Sequence, residues 1–356
     1  MQALRLAAQH VAKPALASPR AVATHMLALQ AQDGAAARWA LGLRMRRPSL
    51  AAVERSLARG EILRTWPMRG TLHVVAARDA RWLVGLLAPR ALARAAGRRR
   101  ELGISGATID KARAALVRAI GQEGPLARPD AYAALELAGV RTTGQRGIHV
   151  IGHLAQEGTL FVGPPEGRQP TYAILPDGGD NPNDAMAHLA RRYIASHGPA
   201  TAADLAWWSG TTLGETRAAL GRAGGLREEQ GWRVERPRVV RETSPAAHLL
   251  PAFDEMAVGY KDRSAALHRV GRNANAQIGL LSPCIIIDGQ MVGTWGRTIR
   301  GDCVRVTLKP LVPWSGAERE AVAQQAERFA TFLGLAAEVE TKPLTSSLPG
   351  RLATRA

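Results

Sequence analysis

Hydrophobic positions in the first hundred residues follow two different periods. Residues 20–32 carry apolar side chains at helical spacing, and the pattern of residues 49–58 predicts a second helix that Ser49 can cap. Residues 61–66 and 71–76 are rich in Ile, Thr, Trp and Val, which favours two strands joined by a short turn. Two helices followed by a β-ribbon is the order of a winged-helix unit.

The same order of elements returns twice along the chain. In the second unit the pattern predicts helices at 108–121, 128–138 and 144–157, and strands at 159–162 and 171–174. In the third it predicts helices at 183–197, 201–208 and 213–223, followed by two short strands. After residue 244 the pattern changes to β-hairpins, with turns at Asp288-Gly289 and at 300–302, and a closing helix at 315–333.

We therefore predict an α+β protein of three tandem winged-helix units with a β-rich C-terminal part. The expected regions are 1–100 for the first unit, 101–176 for the second, 183–243 for the third, 244–340 for the β-rich part and 341–356 for a flexible tail. A stretch rich in Pro, Gly, Asp and Asn separates the second unit from the third.

The charge of the chain points to a polyanionic partner. Lys and Arg number 47 against 30 Asp and Glu, giving a net charge of +17, and all but five of the basic residues are arginine. Planar guanidinium groups suit phosphates and guanine edges, so nucleic acid is the expected partner. An Ala- and Arg-rich composition is also typical of a GC-rich genome, and this alternative stays open at the level of composition.

Composition also sets aside several classes of protein. Cys284 and Cys303 have no second Cys or paired His at ligand spacing, so we expect no metal and no cofactor. No signal-peptide core is evident, and no segment approaches the ~20 apolar residues of a membrane span. We expect a cytoplasmic, nucleoid-associated monomer that does not bind membranes.

The segment Leu29-Gln30-Ala31-Gln32-Asp33 places two glutamines at the predicted end of the first helix. On a continuous helix, side chains two positions apart diverge by about 200°, so Gln30 and Gln32 can share a target only if the helix ends there. The turn signal Asp33-Gly34 supplies such a break. Two amides could then hold a water or a sugar, but glutamine does not titrate and cannot be a general base. From spacing alone, ordinary helix-end polarity is the simpler interpretation.

A more specific segment, RTWPMRGTLH at 64–73, follows in the same unit. Together with LALQAQD at 27–33 it resembles the AlkZ-type winged-helix DNA glycosylases, which are related to the YcaQ type with its Gln-x-Asp motif. Residues 203–210, 249–255 and 259–263 extend the similarity. The resemblance implies that Gln30 and Gln32 position the water that attacks the anomeric carbon of an alkylated nucleotide.

The chemistry of such a substrate is compatible with a sparse site. Alkylation at N7 puts positive charge on a purine and makes it a good leaving group, so the site needs a placed water and a stabilised sugar cation. Asp33 is the adjacent carboxylate that could assist, although an Asp before Gly equally forms a turn. Asp254 and Glu255 are alternative carboxylates, for which a solvated or capping position is the expectation.

Six side chains are candidate DNA contacts. Arg69 lies at the turn of the first ribbon, where its neighbours should leave it exposed, and His73 follows on the returning strand, where a lone histidine is often structural. The others are Arg64 in the first ribbon, Arg168 in the loop of the second, and Arg297 and Arg300 in the last. For this last pair a charged edge strand is an equal alternative. We expect Trp207 and Trp208 to belong to the core.

The resemblance, together with the glutamine pair and the basic charge, implies a monofunctional DNA glycosylase that acts on double-stranded DNA carrying N7-alkylated purines, with interstrand crosslinks as a further substrate in DNA repair or genotoxin self-resistance. Monofunctional action is favoured because the lysine nearest the glutamines in the sequence is Lys13. Two alternatives remain at this level. One is a winged-helix regulator or damage-binding protein without catalysis, and the other is a resistance protein that sequesters a genotoxin.

Overall fold

The computed structural model describes residues 1–166, 169–229, 231–234, 244–271 and 279–344. The helices of the N-terminal half are α1 (Gln2–Ala8), α2 (Pro19–Met26), α3 (Gly34–Arg44), α4 (Leu50–Ala58), α5 (Ala77–Arg94), α6 (Ala96–Glu101), α7 (Gly106–Glu123), α8 (Arg128–Leu137) and α9 (Arg146–Gln156). Those that follow are α10 (Ala185–His197), α11 (Ala202–Ser209), α12 (Leu213–Arg222), α13 (Glu255–Val258) and α14 (Gly316–Leu333). None of these described helices is long and apolar enough to cross a bilayer.

Within the part of the chain that the structure describes, the strands lie in three sheets. The first contains β1 (Ala28–Gln30), β2 (Ile62–Met68), β3 (Thr71–Ala76), β4 (Leu126–Ala127), β5 (Leu160–Glu166) and β6 (Gln169–Ile174). The second contains only β7 (Leu226–Glu229) and β8 (Gly231–Val234). The third contains β9 (Ala247–Leu250), β10 (Cys284–Ile287), β11 (Gln290–Arg300), β12 (Cys303–Pro310) and β13 (Ala336–Thr341).

The ribbons of the first two predicted units form one continuous sheet. Its strand order is β1-β3-β2-β5-β6-β4, and the two ribbons meet where Arg64 of β2 pairs with Val162 of β5. The strands are antiparallel throughout, as expected for hairpins joined edge to edge. Joining the ribbons in this way covers two sheet edges that would otherwise remain unpaired.

The C-terminal sheet is built on two tight hairpins. Asp288 and Gly289 both have positive φ, 49° and 76°, which matches the Asp-Gly hairpin turn predicted from the sequence. The sheet has the order β13-β12-β11-β10-β9, and α14 crosses over so that β13 runs parallel to β12. The sequence did not predict β13, because its Ala-Ala-Glu-Val-Glu-Thr pattern carries a single strongly apolar residue.

The N-terminal helices and the C-terminal sheet share one hydrophobic core. Trp39 of α3 donates its indole N–H to the Leu249 carbonyl of β9 at 2.7 Å and packs edge-on against Phe329 of α14. Arg44 of α3 forms a buried bidentate ion pair with Asp254, both contacts being 2.9 Å. Residues far apart in the sequence are therefore fixed relative to each other, and α3 lies between the first ribbon and the C-terminal sheet.

The third predicted unit packs its three helices, α10 to α12, beside the β7–β8 ribbon. Capping boxes begin α11 at Thr201 and α12 at Thr212, each with an acidic residue three positions later that bonds back to the cap. The mixed helix and sheet composition confirms the predicted α+β class. The division into three separate winged-helix units stays a prediction, because the first two ribbons are parts of one sheet.

Candidate active site

Gln30 lies at the end of a strand and not at the end of a helix. Helix α2 stops at Met26, and Leu27 has φ 64° and ψ −57°, the geometry of a γ-turn that is rare for a non-glycine residue. The chain then pairs with β3 over Ala28–Gln30. The expectation of one helix through Gln32 was therefore wrong. Helical spacing persists across the turn by coincidence, while pairing with β3 decides the backbone conformation.

The strand conformation itself brings the two glutamines to β3. Gln30 pairs with His73 of β3, and Gln32 lies in the bend directly after β1, so contacts with β3, and not a helix break, place both glutamines beside that strand. The pairing continues beyond β1, because Ala31 donates its N–H to the Leu72 carbonyl at 2.7 Å. The Gln32 side-chain oxygen then accepts the Leu72 N–H at 2.9 Å. Gln32 remains exposed, whereas Gln30 is half-buried.

Two neighbours hold the segment that follows Gln30. Asp33 caps α3, because its Oδ1 accepts the backbone N–H groups of Ala35 and Ala36 at 2.9 and 3.0 Å. Arg64 donates from Nε to the Ala31 carbonyl at 3.0 Å and from Nη2 to the Gln32 carbonyl at 3.4 Å. Asp33 thus begins the next helix, and Arg64 is engaged with the Gln-x-Gln backbone. Burial lowers the pKa of Arg64 from its ordinary value.

A buried carboxylate lies behind Gln30. The Oε1 of Glu255 accepts the Gln30 backbone N–H at 3.0 Å, and Oε2 accepts the Trp208 indole N–H at 2.9 Å and lies 3.4 Å from His197 Nε2. Burial raises the pKa of Glu255. The hydrogen bond and charge of His197, with smaller contributions from His73 and the Gln30 N–H, outweigh that effect, so the pKa lies below its ordinary value. Glu255 is therefore an anion inside the protein.

Asp254 is also buried, and it serves the fold. It pairs with Arg44 and caps α13 by accepting the Met256 N–H at 2.9 Å. Phe253, just before it, has φ 56°, a left-handed conformation that a bulky residue seldom adopts. A solvated or capping position was expected for Asp254 and Glu255, and the solvated alternative was wrong for both, since each is 1 % exposed. The capping alternative holds for Asp254.

His73 and Arg69 lie beside this carboxylate and are less accessible than expected. His73 pairs with Gln30 on one side and with Thr65 on the other, so the three side chains share one face of the sheet. His73 is fully buried. Its Nδ1 lies 2.9 Å from the Thr71 carbonyl, and its Nε2 has no partner among the described residues. Burial, followed by the charge of Arg69, lowers the pKa of His73 to about 4, so the ring is neutral near pH 7.

Arg69 occupies the hairpin turn with φ 55°, followed by Gly70 with φ 76°. Its side chain turns inward: Nε and Nη2 are buried and lack hydrogen-bond partners among the described residues. Burial lowers the pKa of Arg69, and the charge of Glu255 opposes that shift. The Gly210 residue that ends α11 leaves room for Arg69, because a Cβ there would lie 3.1 Å from Arg69 Cγ. The prediction of an exposed Arg69 was therefore wrong.

Comparison with known proteins identifies the family of this chain. The family model described as "DNA glycosylase AlkZ-like" matches residues 23–332, which is most of the chain and includes Gln30, Gln32, His73 and Glu255. The chain belongs to the AlkZ-like DNA glycosylases. It is 24 % identical, over 77 % of its length and 81 % of the relative's, to the Interstrand DNA cross-link repair glycosylase of Streptomyces sahachiroi.

The fold of this glycosylase also matches a solved structure. The DNA glycosylase AlkZ of Streptomyces sahachiroi aligns with a TM-score of 0.75 at 22 % identity, over 95 % of this chain and 98 % of the other. This match supports the architecture described above. The predicted family is thereby confirmed, and the chain is an enzyme of the class that hydrolyses N-glycosyl bonds.

The remaining predicted DNA contacts of the glycosylase lie on other elements. Arg297 and Arg300 belong to the β11–β12 hairpin, where Arg297 is half-buried over the Phe329 ring at 5.9 Å and Arg300 is exposed at the hairpin end. Arg168 lies outside the described residues. Trp208 is buried as predicted, but Trp207 is 46 % exposed, which was not predicted. Adjacent helical residues point in different directions, so a Trp-Trp pair does not share one environment.

A basic cleft opens next to the tip of the first ribbon. Its volume is about 480 Å³, and its lining includes Trp66, Arg69, Arg94, Arg99 and His153. Guanidinium groups around an aromatic ring are a combination suited to phosphates and bases. The sequence gives no sign that α5, α9 and the first ribbon line one cleft, because helices from two predicted units meet only in the folded chain.

The sequence pointed to the glutamines but gave no sign that Glu255 is buried behind Gln30. From the sequence, Glu255 was only one of two alternative carboxylates. The signal that could have found it is the similarity of residues 249–255 and 259–263 to the family. In the structure the first segment ends at Glu255 and the second bonds to α10, which carries His197 beside the carboxylate: Tyr193 donates its hydroxyl to the Gly259 carbonyl at 2.6 Å, and Tyr260 donates to the His197 carbonyl at 2.7 Å.

Proposed function

We propose that this glycosylase hydrolyses the N-glycosidic bond of N7-alkylated purines in duplex DNA and also opens interstrand crosslinks. In this proposal Gln30 and Gln32 hold the attacking water, and no covalent intermediate forms with the enzyme. The protein acts as a monomer of three winged-helix units in the cytoplasm, in contact with the nucleoid. Crosslinks are included because the Streptomyces relative is named for their repair.

The position of the two glutamines carries the proposal. Gln30 ends β1, and Gln32 lies in the bend that follows, where its side-chain oxygen accepts the Leu72 N–H, so both glutamines lie against β3. Gln32 is exposed and Gln30 is half-buried, so their amides are placed between the protein interior and a substrate at the surface. Amides offer both donors and acceptors, which is what orienting a water toward an anomeric carbon requires.

The charge state of the site suits a substrate that already carries positive charge. The neutral His73 and the two amides cannot protonate a leaving base, and a cationic N7-alkylated purine does not need protonation to leave. Asp33 is engaged in capping α3 through Oδ1, which supports the turn-forming alternative for it and leaves the main role to the glutamines. Arg64 supports the segment by binding its carbonyls, in addition to its proposed role near DNA.

Monofunctional action is supported by the contacts of the site. The groups that bond to Gln30, Gln32 and Glu255 among the described residues are backbone N–H groups, Arg64, Trp208 and His197, and none of them is a lysine amine. A Schiff base with the sugar would require such an amine. We therefore expect borohydride to trap no covalent adduct between the enzyme and its DNA. Light scattering during size-exclusion chromatography should give the mass of one chain, 38.0 kDa.

The central experiment measures base release from duplex DNA that contains N7-methylguanine. Wild type, Gln30→Ala and Gln32→Ala are compared under single-turnover conditions, with duplex affinity measured in parallel. The control is Gln324→Ala, which changes an exposed glutamine of α14. We expect the two site variants to lose release on the order of 100-fold at unchanged affinity, and the control to match wild type. Equal loss of release and affinity would make the glutamines binding residues.

A second substrate tests the crosslink part of the proposal. A duplex joined by a bis-alkylating agent at two guanines is incubated with the enzyme and separated on a denaturing gel. Release of free strands by wild type, and not by Gln30→Ala, is the expected result. If N7-methylguanine is released but the crosslink stays intact, the enzyme is restricted to single adducts.

A further inference from the structure

The carboxylate of Glu255 joins the strand of Gln30 to the third predicted unit. One oxygen accepts from the Gln30 backbone, and the other accepts from Trp208 of α11 and lies close to His197 of α10. The side chain is 1 % exposed. Burying a carboxylate is costly, and a well-packed apolar residue often serves stability as well or better. Stability alone therefore does not explain a charged group at this position.

We propose that Glu255 is the positioning residue of the glycosylase site: it fixes the Gln30 backbone at the end of β1, and its negative charge lies behind Gln30, where it favours positive charge on the sugar. This inference rests on the function proposed above, because it assumes that Gln30 acts at the anomeric carbon. Glu255 acts through Gln30 and through its field, without contact with the substrate.

The backbone around Glu255 holds its carboxylate in place. Phe253 adopts a left-handed φ of 56°, and the next residue, Asp254, is fixed by its ion pair with Arg44 and by capping α13. Glu255 is the first residue of that helix, so its main chain is anchored directly. Strained conformations of this kind persist only where the surroundings fix them, and they are concentrated at functional sites. The side chain therefore approaches Gln30 with little freedom.

The charges around Glu255 link it to the other candidate residues. Its negative charge opposes the lowering of the pKa of both Arg69 and His73, and the hydrogen bond and charge of His197 lower the pKa of Glu255 in return. Gln30, Arg69 and His73 thus share one electrostatic neighbour. A preorganised charge in a buried site acts on a developing cation without reorganising when the bond breaks. Asp33, in contrast, is exposed and caps a helix.

Substituting Glu255 by Gln tests the charge while keeping the shape. The amide of Glu255→Gln can still accept from Gln30, but its NH₂ group then faces the indole N–H of Trp208, which leaves two donors opposed. The double variant Glu255→Gln/Trp208→Phe removes that conflict and keeps the contact with Gln30. Comparing it with Trp208→Phe alone isolates the charge of Glu255 from the cost of a mismatched hydrogen bond, and this comparison holds even if the single variant folds poorly.

Single-turnover release of N7-methylguanine and duplex affinity are measured for each variant. We expect the double variant to release base about 100-fold more slowly than Trp208→Phe, with the same melting temperature and with affinity within about threefold. Equal release rates for the two would show that Glu255 only satisfies hydrogen bonds, which overturns the inference. Asp204→Asn is the matched control, because Asp204 is also buried but bonds to Arg5 and the Thr201 cap. Asp204→Asn should have a lower melting temperature than wild type, and its folded fraction should release base at the wild-type rate.

A double-mutant comparison separates the two parts of this proposal. Gln30→Ala/Glu255→Gln should release base more slowly than Gln30→Ala, but by clearly less than 100-fold, because the field still acts on the sugar while the positioning of Gln30 can no longer contribute. A full further loss of about 100-fold would overturn the positioning role, and no further loss would overturn the action of the field. Wild-type release by folded Glu255 variants, with release lost in Gln30→Ala, overturns this inference alone. Absence of release from wild type overturns the proposed function and this inference with it.

Discussion

The buried ion pair between Arg44 and Asp254 joins the N-terminal helices to the C-terminal region, and Asp254→Asn tests how much it contributes. The arginine side chain is fully buried and the aspartate side chain is 1 % exposed. The asparagine keeps the size of the side chain and can still cap α13 through one oxygen. It removes the negative charge and presents an NH₂ group to Arg44 Nη1, so the guanidinium loses one of its two bonds to residue 254 and keeps the asparagine oxygen, Gln9 and the Ala40 carbonyl as neutral acceptors.

The expected loss of unfolding free energy is about 3–5 kcal/mol, because removing one partner of a buried pair leaves an uncompensated charge in the interior. The matched control is Asp180→Asn, which makes the same chemical change in a surface pair. Asp180 accepts from Arg78 at 2.7 Å, but the two side chains are 34 % and 49 % exposed. Solvent screening limits such a pair to under about 1 kcal/mol.

Urea unfolding followed by tryptophan fluorescence measures both variants, because Trp39 and Trp295 lie in the core that the ion pair borders. The difference between the midpoints, multiplied by the slope, gives the change in stability. Equal losses for Asp254→Asn and Asp180→Asn would refute the reasoning, since burial would then not decide the strength of the pair. A small loss for both would mean that the interior around Arg44 admits water.

Three further predictions concern packing, pH and exposure. Gly42→Ala should lower the free energy of unfolding by about 1–3 kcal/mol, because its methyl group would meet a phenylalanine ring atom of α14 at 2.5 Å. Gly85→Ala, in open space on α5, should raise it by about 0.5–1 kcal/mol. Melting temperatures from thermal unfolding measure both changes. The pKa of His73 is lowered from 6.5 to about 4, so its contribution to stability is complete above pH 6.5 and is lost as the pH falls toward 4. In His73→Asn, the free energy of unfolding should therefore change less with pH between about 4 and 6.5 than in wild type. An unchanged slope would contradict the lowered pKa of His73. Trp208→Ala should lower the free energy of unfolding by about 3–5 kcal/mol and Trp207→Ala by under about 0.5 kcal/mol, since Trp208 is buried and Trp207 is 46 % exposed. Similar losses for the two variants in urea titrations would contradict this difference in burial.

Local elements of the fold were predictable because their signals are local. The Asp288-Gly289 turn, the Ser49 cap and the period of the closing helix depend on residues within a few positions of each other. The Gln-x-Gln segment and the first ribbon were also identified, through their order and residue types. The strand pairing around Gln30 was not predicted, because the helical spacing of residues 20–32 gives no sign that residues 28–30 pair with β3.

Burial was harder to predict than secondary structure. Arg69 was expected at the surface because it lies at a hairpin turn, and His73 was a candidate DNA contact, yet Arg69 turns inward beside Gly210 at the end of α11 and His73 is fully buried. Trp207 and Trp208 have the same local environment in the sequence and opposite exposure in the structure. The burial of Arg69 and His73 depends on residues more than a hundred positions away along the chain. The difference between Trp207 and Trp208 depends on the angle at which α11 packs.

The sequence by itself determined the α+β class, most helices and hairpins, the basic charge, the family and the glutamine pair, because each of these depends on residue type and short-range spacing. Only the tertiary structure decided that Gln30 ends a strand, that the first two ribbons form one sheet, and that Glu255 lies behind the Gln-x-Gln segment. The physical reason is distance along the chain. Glu255 contacts Gln30 across 225 residues, and that contact exists only because α3, β9 and α14 share a core that brings the two ends of the protein together.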